Sequence, residues 1–392
     1  MAHPRGGDPE QPQISLTTWH IITGEYPPQP GGVSDYARLL AIELTRVGDV
    51  VNVWAPGPKP DESESVEDKI IVHRLPGHFG PSALRILDRA LHAAPGRIIV
   101  QYVPHAFGMK AMNLPFVSWL YARRKMDISV MFHEVAFPID RSQAPTLNVL
   151  GVVNRAMAAI AARSARRIFV STISWEKVMR PLIPTDARVV CIPMPSNIPV
   201  VNDREGIAAV RRNYSPTGPL VGHFGTFGPG ITNLLDKILP ALLDEVPDAH
   251  TILIGRNSER YAAAIARAHP KLAPRIHASG ALTPCEVSMH ISACDLLLEP
   301  YPDGITTRRS SAMVGLAHGR AIVTNSGHLT ELLWSQQSAV AIAPADDVAS
   351  SAALARDLLG DAERREQLAK SGASLYADKF DMRHTIAALR AA

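Results

Sequence analysis

Residues 220–246 read LVGHFGTFGPGITNLLDKILPALLDEV. Leu220–Phe224 is a short apolar run of strand length. It ends in a Gly-rich turn, Gly225-Thr226-Phe227-Gly228-Pro229-Gly230. Leu234, Leu235, Ile238, Leu242 and Val246 then recur at helical spacing on one face. A second apolar run, Thr251–Ile254, stops at Gly255. Strand, tight turn, amphipathic helix and strand again is the repeating unit of a parallel α/β domain.

The same alternation extends in both directions. Upstream, the run Ile14–Ile22 leads into a Pro- and Gly-rich loop ending at Gly31-Gly32. Val33, Tyr36, Ala37, Leu40 and Leu44 predict a helix after it, with Ser34 as its cap. Val50–Ala55, Arg97–Tyr102, Ser129–His133 and Arg167–Ser171 read as strands, and Ala156–Arg167 as a helix. The acidic stretch Asp61–Asp68 reads as a loop. Downstream, Thr283-Pro284-Cys285-Glu286 is a helix start with cap, first-turn proline and reciprocal glutamate. Asp295–Glu299 and Arg320–Thr324 read as strands, Ser311–His318 as a helix, and the chain from Val348 as helical.

These two series predict an α/β protein with two Rossmann-like, doubly wound domains facing a cleft. The expected division is a disordered tail over 1–13, a first domain over 14–195 and a Pro-rich linker over 196–218. A second domain follows over 219–375, then a terminal helix over 376–392. Ligands of such sheets sit beyond the carboxyl ends of the strands. The loops after Ile22, Phe224, Ile254 and Glu299 are therefore expected to line a site.

Composition bounds the function. The chain has 392 residues, 46% hydrophobic and 20% charged, enough to bury a sizeable core. A net charge of +3, from 40 basic and 37 acidic residues, is too small to argue for nucleic acid. Three scattered cysteines (Cys191, Cys285 and Cys294) exclude a disulfide framework and a cysteine-built zinc site. They point to a cytoplasmic protein. No apolar stretch is long enough for a transmembrane helix. The Arg-rich segments 123–125 and 163–167 suit either a solvated helix face or peripheral contact with an anionic membrane.

Several groups carry chemistry. Gly31-Gly32 before a helix allows close approach of a phosphate or sugar, or is ordinary turn chemistry. His133-Glu134 ends a strand, and His105 lies in QYVPHAFG, just after another. Each histidine reads either as a satisfied local group or as a site residue. From Asp303 to Ser311 the chain presents a carboxylate, Gly304, two hydroxyls (Thr306 and Thr307), Arg308, Arg309, Ser310 and Ser311. Arginines and helix-terminal N–H groups suit a diphosphate, and Asp303 suits sugar hydroxyls. Gly225 and Thr226 lie in a turn able to cradle phosphate.

The opening ITGEYPPQPGGVSDYARLLAIEL resembles the N-terminal signature of GT-B glycosyltransferases of glycosyltransferase family four. VGHFGTFGPGITNLLDKILPALLDEVPDAHTILIG resembles the family's donor-domain opening. SGALTPCEVSMHISACDLLLEPYPDG and GLAHGRAIVTNSGHLTELL resemble its next blocks. The resemblance covers about residues 14–380 and rests on the order and spacing of loose motifs.

The resemblance implies a nucleotide-sugar-dependent glycosyltransferase, retaining and metal-independent, and the lack of a DxD triplet agrees. It has no cofactor; a UDP- or GDP-sugar is a co-substrate. The acceptor is a glycan, a lipid-linked glycan or a small molecule, and polysaccharide assembly is the expected setting. The last helix crosses back to the first domain. His133 serves catalysis, Glu331 the nucleotide ribose, Arg256 the base or phosphates, and His105 and Glu134 the acceptor. Two departures stand out. The family's paired glutamates fall on Thr306 and Val314, and the turn GTFGPG lacks the expected basic pair. Asp303 with Arg308 or Arg309 is expected to substitute, Asp303 and Arg308 catalytically. The alternatives are a catalytically degenerate GT-B binding or scaffold protein, and another GT-B enzyme such as a nucleotide-sugar epimerase or a sugar phosphorylase.

Overall fold

The structure, a computed structural model, describes residues 16–57, 64–67, 69–344 and 347–391. The tail expected over 1–13 lies outside them. The chain forms two compact units, one running to Ile168 and one from Phe169.

The first sheet contains β1 (Thr18–Thr23), β2 (Val50–Pro56), β3 (Glu64–Glu67), β4 (Ile70–Leu75), β5 (Arg97–Tyr102), β6 (Ile128–Phe132), β7 (Arg167–Val170) and β8 (Val189–Cys191). Its order is β3-β4-β2-β1-β5-β6-β7-β8. β1 pairs in parallel with β2 and β5, β2 with β4, and β5 with β6. Only β3 is shown antiparallel, as an edge hairpin on β4. The stretch read as an acidic loop thus contains a strand; its partner β4, not its composition, sets its conformation. Trp19, Ile21 and Ile22 are all fully buried, as consecutive residues of a doubly covered parallel strand are. Helix Gly32–Arg46 follows β1 and buries Tyr36, Ala37, Leu40 and Leu44. Ser34 is not its cap. The helix starts two residues earlier, and the Ser34 hydroxyl donates to the Gln29 carbonyl at 2.6 Å.

The second unit's sheet contains β9 (Leu220–Phe224), β10 (His250–Ile254), β11 (Ile276–Ala278), β12 (Leu296–Glu299), β13 (Ala321–Asn325) and β14 (Ala341–Ala343). Its order is β11-β10-β9-β12-β13-β14, parallel throughout. The period of two divides each strand between two apolar layers. Leu297 joins a cluster with Ile252, Ile254 and Ile322, while Leu296 and Leu298 join Val221, Leu253 and Val323. The Pro-rich stretch 196–218 holds helix Arg204–Tyr214, capped by Asp203. Arg211 ties that helix to Asp295 at 2.6 Å, just before β12. No helix among the described residues is long and apolar enough to cross a membrane.

In both sheets the chain winds outward one way from the first strand and then reverses. The reversal falls between β1 and β5 in the first sheet, and between β9 and β12 in the second. Such switch points open a crevice at the carboxyl ends of the strands. In the second unit β9 and β12 pair only at Val221–Leu296 and Gly222–Leu297. Beyond that, side chains bridge the gap. His223 Nδ1 lies 2.8 Å from the Leu298 carbonyl, and Phe224 N–H donates to Glu299 Oε1 at 2.8 Å.

Candidate functional site

In the first unit, neighbouring strands β1, β5 and β6 deliver acids and histidines to one end of the sheet. Glu25 follows β1, His105 follows β5, and His133-Glu134 follow β6. His105 stands between the two carboxylates. Its Nε2 is 4.0 Å from Glu25 Oε1 and its Nδ1 is 3.6 Å from Glu134 Oε2. Burial holds the Glu25 carboxyl above its usual range, opposed by His105 and reinforced by Glu134. A side chain on Gly31 would collide with the Glu25 carboxylate, so that glycine seats Glu25. Gly32 has open space where a Cβ would point, which leaves its backbone approachable. Glu25 carries no signal of its own in the sequence, because its contact with Gly31 is a product of the turn.

His133 is buried and bonded through Nε2 to Gln101 Oε1 at 2.7 Å, with the Tyr36 ring edge-on at 4.9 Å. Burial lowers its pKa to about 3. The imidazole is therefore neutral at pH 7, a fixed hydrogen-bonding group.

In the second unit, the loops after β12 and β13 are joined along their length. Asn325, the last residue of β13, accepts from Tyr301 N–H and donates to the Tyr301 carbonyl, both at 2.7 Å. Leu329 N–H donates to the Asp303 carbonyl at 3.1 Å. Gly304 has φ of +85°, and a Cβ there would overlap Gly327 N and the Thr330 hydroxyl. Only glycine fits on both counts.

This joined pair carries most of the expected donor residues. Arg309 donates to Asp303 Oδ2 at 3.2 Å, and Arg308 lies 3.9 Å from the same oxygen. The Arg309 guanidinium lies over Tyr301 at 4.7 Å, and that of Arg308 over Trp175 at 5.6 Å. One carboxylate is thus shared by two guanidiniums, leaving net positive charge before helix Ser310–Ala317. The Ser311 hydroxyl meets Tyr301 OH at 2.7 Å, which also reaches Glu299. Ser310 opens the helix, half-buried. Thr306 is 1% exposed, and its hydroxyl has no partner among the described residues. Val314 is buried in an apolar cluster.

Glu331 and Thr307 hold the base of this loop. The Glu331 carboxylate accepts from Thr307 N–H and hydroxyl, from the Thr172 hydroxyl at 2.6 Å and from the Trp334 indole at 2.9 Å. A carboxylate has about four acceptor sites, so the protein itself fills it.

Gly225 and Thr226 follow β9, and Arg256 follows β10, beside them. Gly225 N–H donates to the Ile254 carbonyl at 3.1 Å. Gly255, at φ of +122°, packs against the Gly225 carbonyl. Thr226 and Arg256 are exposed. The turn also nears the β12 loop: a Cβ on Gly230 would lie 2.9 Å from Pro302. The structure therefore groups the expected residues into two sets, one in each unit. Among the described residues no three His, Cys, Asp or Glu side chains form a metal-binding group. Cys191, Cys285 and Cys294 are free thiols.

Residues 218–361 match the family model described as glycosyl transferases group 1. No curated protein sequence matches the chain. Sucrose-phosphate synthase from Thermosynechococcus elongatus is a similar solved structure, with TM-score 0.67 and 16% identity over 94% of this chain and 96% of that one. Anabaena HepE in complex with UDP and glucose has TM-score 0.68 and 14% identity over 96% of this chain and 100% of that one. The catalytic domain of starch synthase IV from Arabidopsis thaliana, bound to ADP and acarbose, has TM-score 0.63 and 15% identity over 96% and 98%. These likenesses establish the GT-B fold, and the segment that matches the family model spans all six strands of the second sheet.

Proposed function

We propose that this chain is a glycosyltransferase that moves a sugar from a nucleotide-sugar to an acceptor hydroxyl. The observation that carries the reading is the paired loop after β12 and β13. It holds Arg308 and Arg309 against one carboxylate at a strand switch point, within the segment that matches the family. Similar structures hold UDP with glucose, and ADP with acarbose, which supports a nucleotide-linked donor.

In this reading the second unit holds the donor. Arg308, Arg309 and the N–H groups opening helix Ser310–Ala317 stabilise charge on the departing diphosphate. Asp303 accepts hydrogen bonds from the sugar, and the turn Gly225-Thr226 with Arg256 receives the phosphates and nucleoside. The arginines supply the charge that a divalent cation would, so the reaction runs without added metal; retention is what the family resemblance implies. Glu331 fixes Thr307 rather than touching the ribose. The first unit holds the acceptor, with Glu25, His105 and Glu134 around its hydroxyls and neutral His133 fixed between Gln101 and Tyr36. Exposed Phe137, Ile139, Leu147, Val149 and Val152 near Arg141 and Arg155 favour a lipid-linked acceptor at an anionic membrane face.

The first test is thermal stabilisation by UDP, GDP, ADP and their sugar conjugates. A ligand at about 100 times its Kd stabilises the fold by about 2.7 kcal/mol. A selective shift, followed by release of the nucleoside diphosphate on adding acceptors, supports the proposal. No shift with any nucleotide sinks it. A second reading, a binding protein without turnover, is favoured by the neutral side chains at Thr306 and Val314. Nucleotide-sugar binding without product over a broad acceptor panel would select it.

A further inference from the structure

The turn Gly225–Gly230 lacks a basic side chain, although it opens helix Pro229–Glu245. A buried histidine lies directly beneath it. His223, 2% exposed, is the fourth residue of β9. Its Nδ1 sits 2.8 Å from the Leu298 carbonyl. A carbonyl only accepts, so Nδ1 carries a hydrogen. The state of the ring is therefore decided at Nε2. That nitrogen is buried and has no partner among the described residues. It points at the turn: a Cβ built on Gly225 would lie 3.2 Å from it. Gly225 has no positive φ that would demand glycine. Its missing side chain instead leaves room over Nε2.

Glu299 is fully buried, 3.7 Å from His223. Glu299 accepts from Phe224 N–H at 2.8 Å and from Tyr301 OH at 3.3 Å. Phe227 meets the ring edge-on at 5.2 Å, and Tyr261 behind it is bonded to Asp236 at 2.9 Å. Beyond Tyr301 stands Arg309. The nearest titratable neighbour is thus the Glu299 carboxyl; burial pushes its pKa up, and His223 and its hydrogen bonds oppose that shift. An unpartnered buried nitrogen is costly and calls for a partner.

We infer that His223 is the cationic partner of a phosphate group of the nucleoside diphosphate, taking up one proton at Nε2 when the anion settles on the turn Gly225–Gly228. This rests on the donor reading of the second unit. The proton comes from solvent, Nε2–H then donates toward the phosphate, and Glu299 balances the charge. His223 and the helix N-terminus together replace the basic pair absent from the turn.

The experiment is calorimetric titration of full-length protein with UDP, GDP and ADP at pH 6.0, 7.0 and 8.0. The wild type, His223→Gln and Gly225→Ala are compared. Glutamine keeps a polar side chain without a titrating nitrogen, and alanine fills the space over an intact histidine. The expected result is at least tenfold weaker binding of the preferred diphosphate to His223→Gln at pH 6.0. The wild type should lose up to tenfold more affinity per pH unit than His223→Gln; this comparison cancels the ligand's own titration. Gly225→Ala should weaken the diphosphate while the free nucleoside binds within twofold of wild type. If His223→Gln does not fold, Gly225→Ala and the wild-type proton uptake measured in two buffers carry the test. Equal affinities and equal pH slopes in wild type and variants overturn the role of His223 and leave the donor reading intact. A wild type that binds none of the three diphosphates overturns both.

Discussion

At Glu331 both carboxylate oxygens are occupied by donors from Thr172, Thr307 and Trp334. Its removal strands a backbone N–H, two hydroxyls and an indole N–H in a buried place. At about 1–3 kcal/mol for each unsatisfied buried group, partly relieved by relaxation, Glu331→Ala should lose about 3–5 kcal/mol in urea unfolding. A residue that only touched a ribose would leave stability unchanged and weaken nucleotide binding alone. Asp303 and Arg308 are partly exposed; Asp303 meets the two arginines, and Arg308 also lies over Trp175. Asp303→Ala and Arg308→Ala should therefore stay folded and lower turnover at least tenfold; full activity in both would remove the loop from the mechanism. His133 makes a third case. Its pKa falls from 6.5 to about 3 on folding. Between those values the unfolded chain takes a proton that the folded chain refuses. Its contribution is complete above pH 6.5 and is lost as pH falls, by about 1.4 kcal/mol per unit. His133→Gln should show a shallower loss than wild type between pH 6.5 and 4.5 in matched urea titrations. The residue types of this site were legible in the sequence, because loops after strands could be counted. The partners of His133, His223 and Glu299 were not. Each sits in or beside an apolar strand, and burial there depends on what the sheet and its helices cover.

At the scale of elements, the strand–turn–helix units were legible because their signals are local. Arg97–Tyr102 and Leu220–Phe224 fall on the residues that their apolar runs mark. The capping box at Thr283 forms as its spacing requires, with both the Thr283 and Glu286 bonds present. What local signals missed are mostly short pieces held by neighbours: β8, β11 and β14, three residues each, and the edge strand β3 with its six-residue partner β4. The joined loops after β12 and β13 belong to this class. Asn325 acts there as one more rung of a ladder, exchanging two hydrogen bonds with Tyr301. Asn325→Ala leaves a buried N–H and carbonyl unpaired, for a loss of about 2–3 kcal/mol. Because the loop carrying Arg308 and Arg309 hangs from that rung, the KM for the donor should rise as well. Unfolding by urea and a donor titration on the same preparation check the two effects.

For the whole molecule, burial depresses the pKa of several histidines besides His133: His20, His250, His277, His290 and His318. Each refuses a proton that the unfolded chain accepts below pH 6.5. Stability should therefore be complete above that pH and fall steeply below it; unfolding midpoints at pH 7.5, 6.5 and 5.5 measure the slope. The two doubly wound halves were foreseen from the alternation of strands and helices, since that pattern recurs twice along the chain. Their shared winding has a consequence of its own. The chain can be compared with itself, position by position. After the innermost strand the first half places Glu25 and the second an uncharged glycine turn. After the next strand outward the first half places His105 and the second Arg308 and Arg309. The first half sets the carboxylates Glu25 and Glu134 around its histidine, and the second sets two guanidiniums around one carboxylate, so each half serves as the other's internal control. The contrast between the copies, more than the contents of either, says which of them an anion would choose.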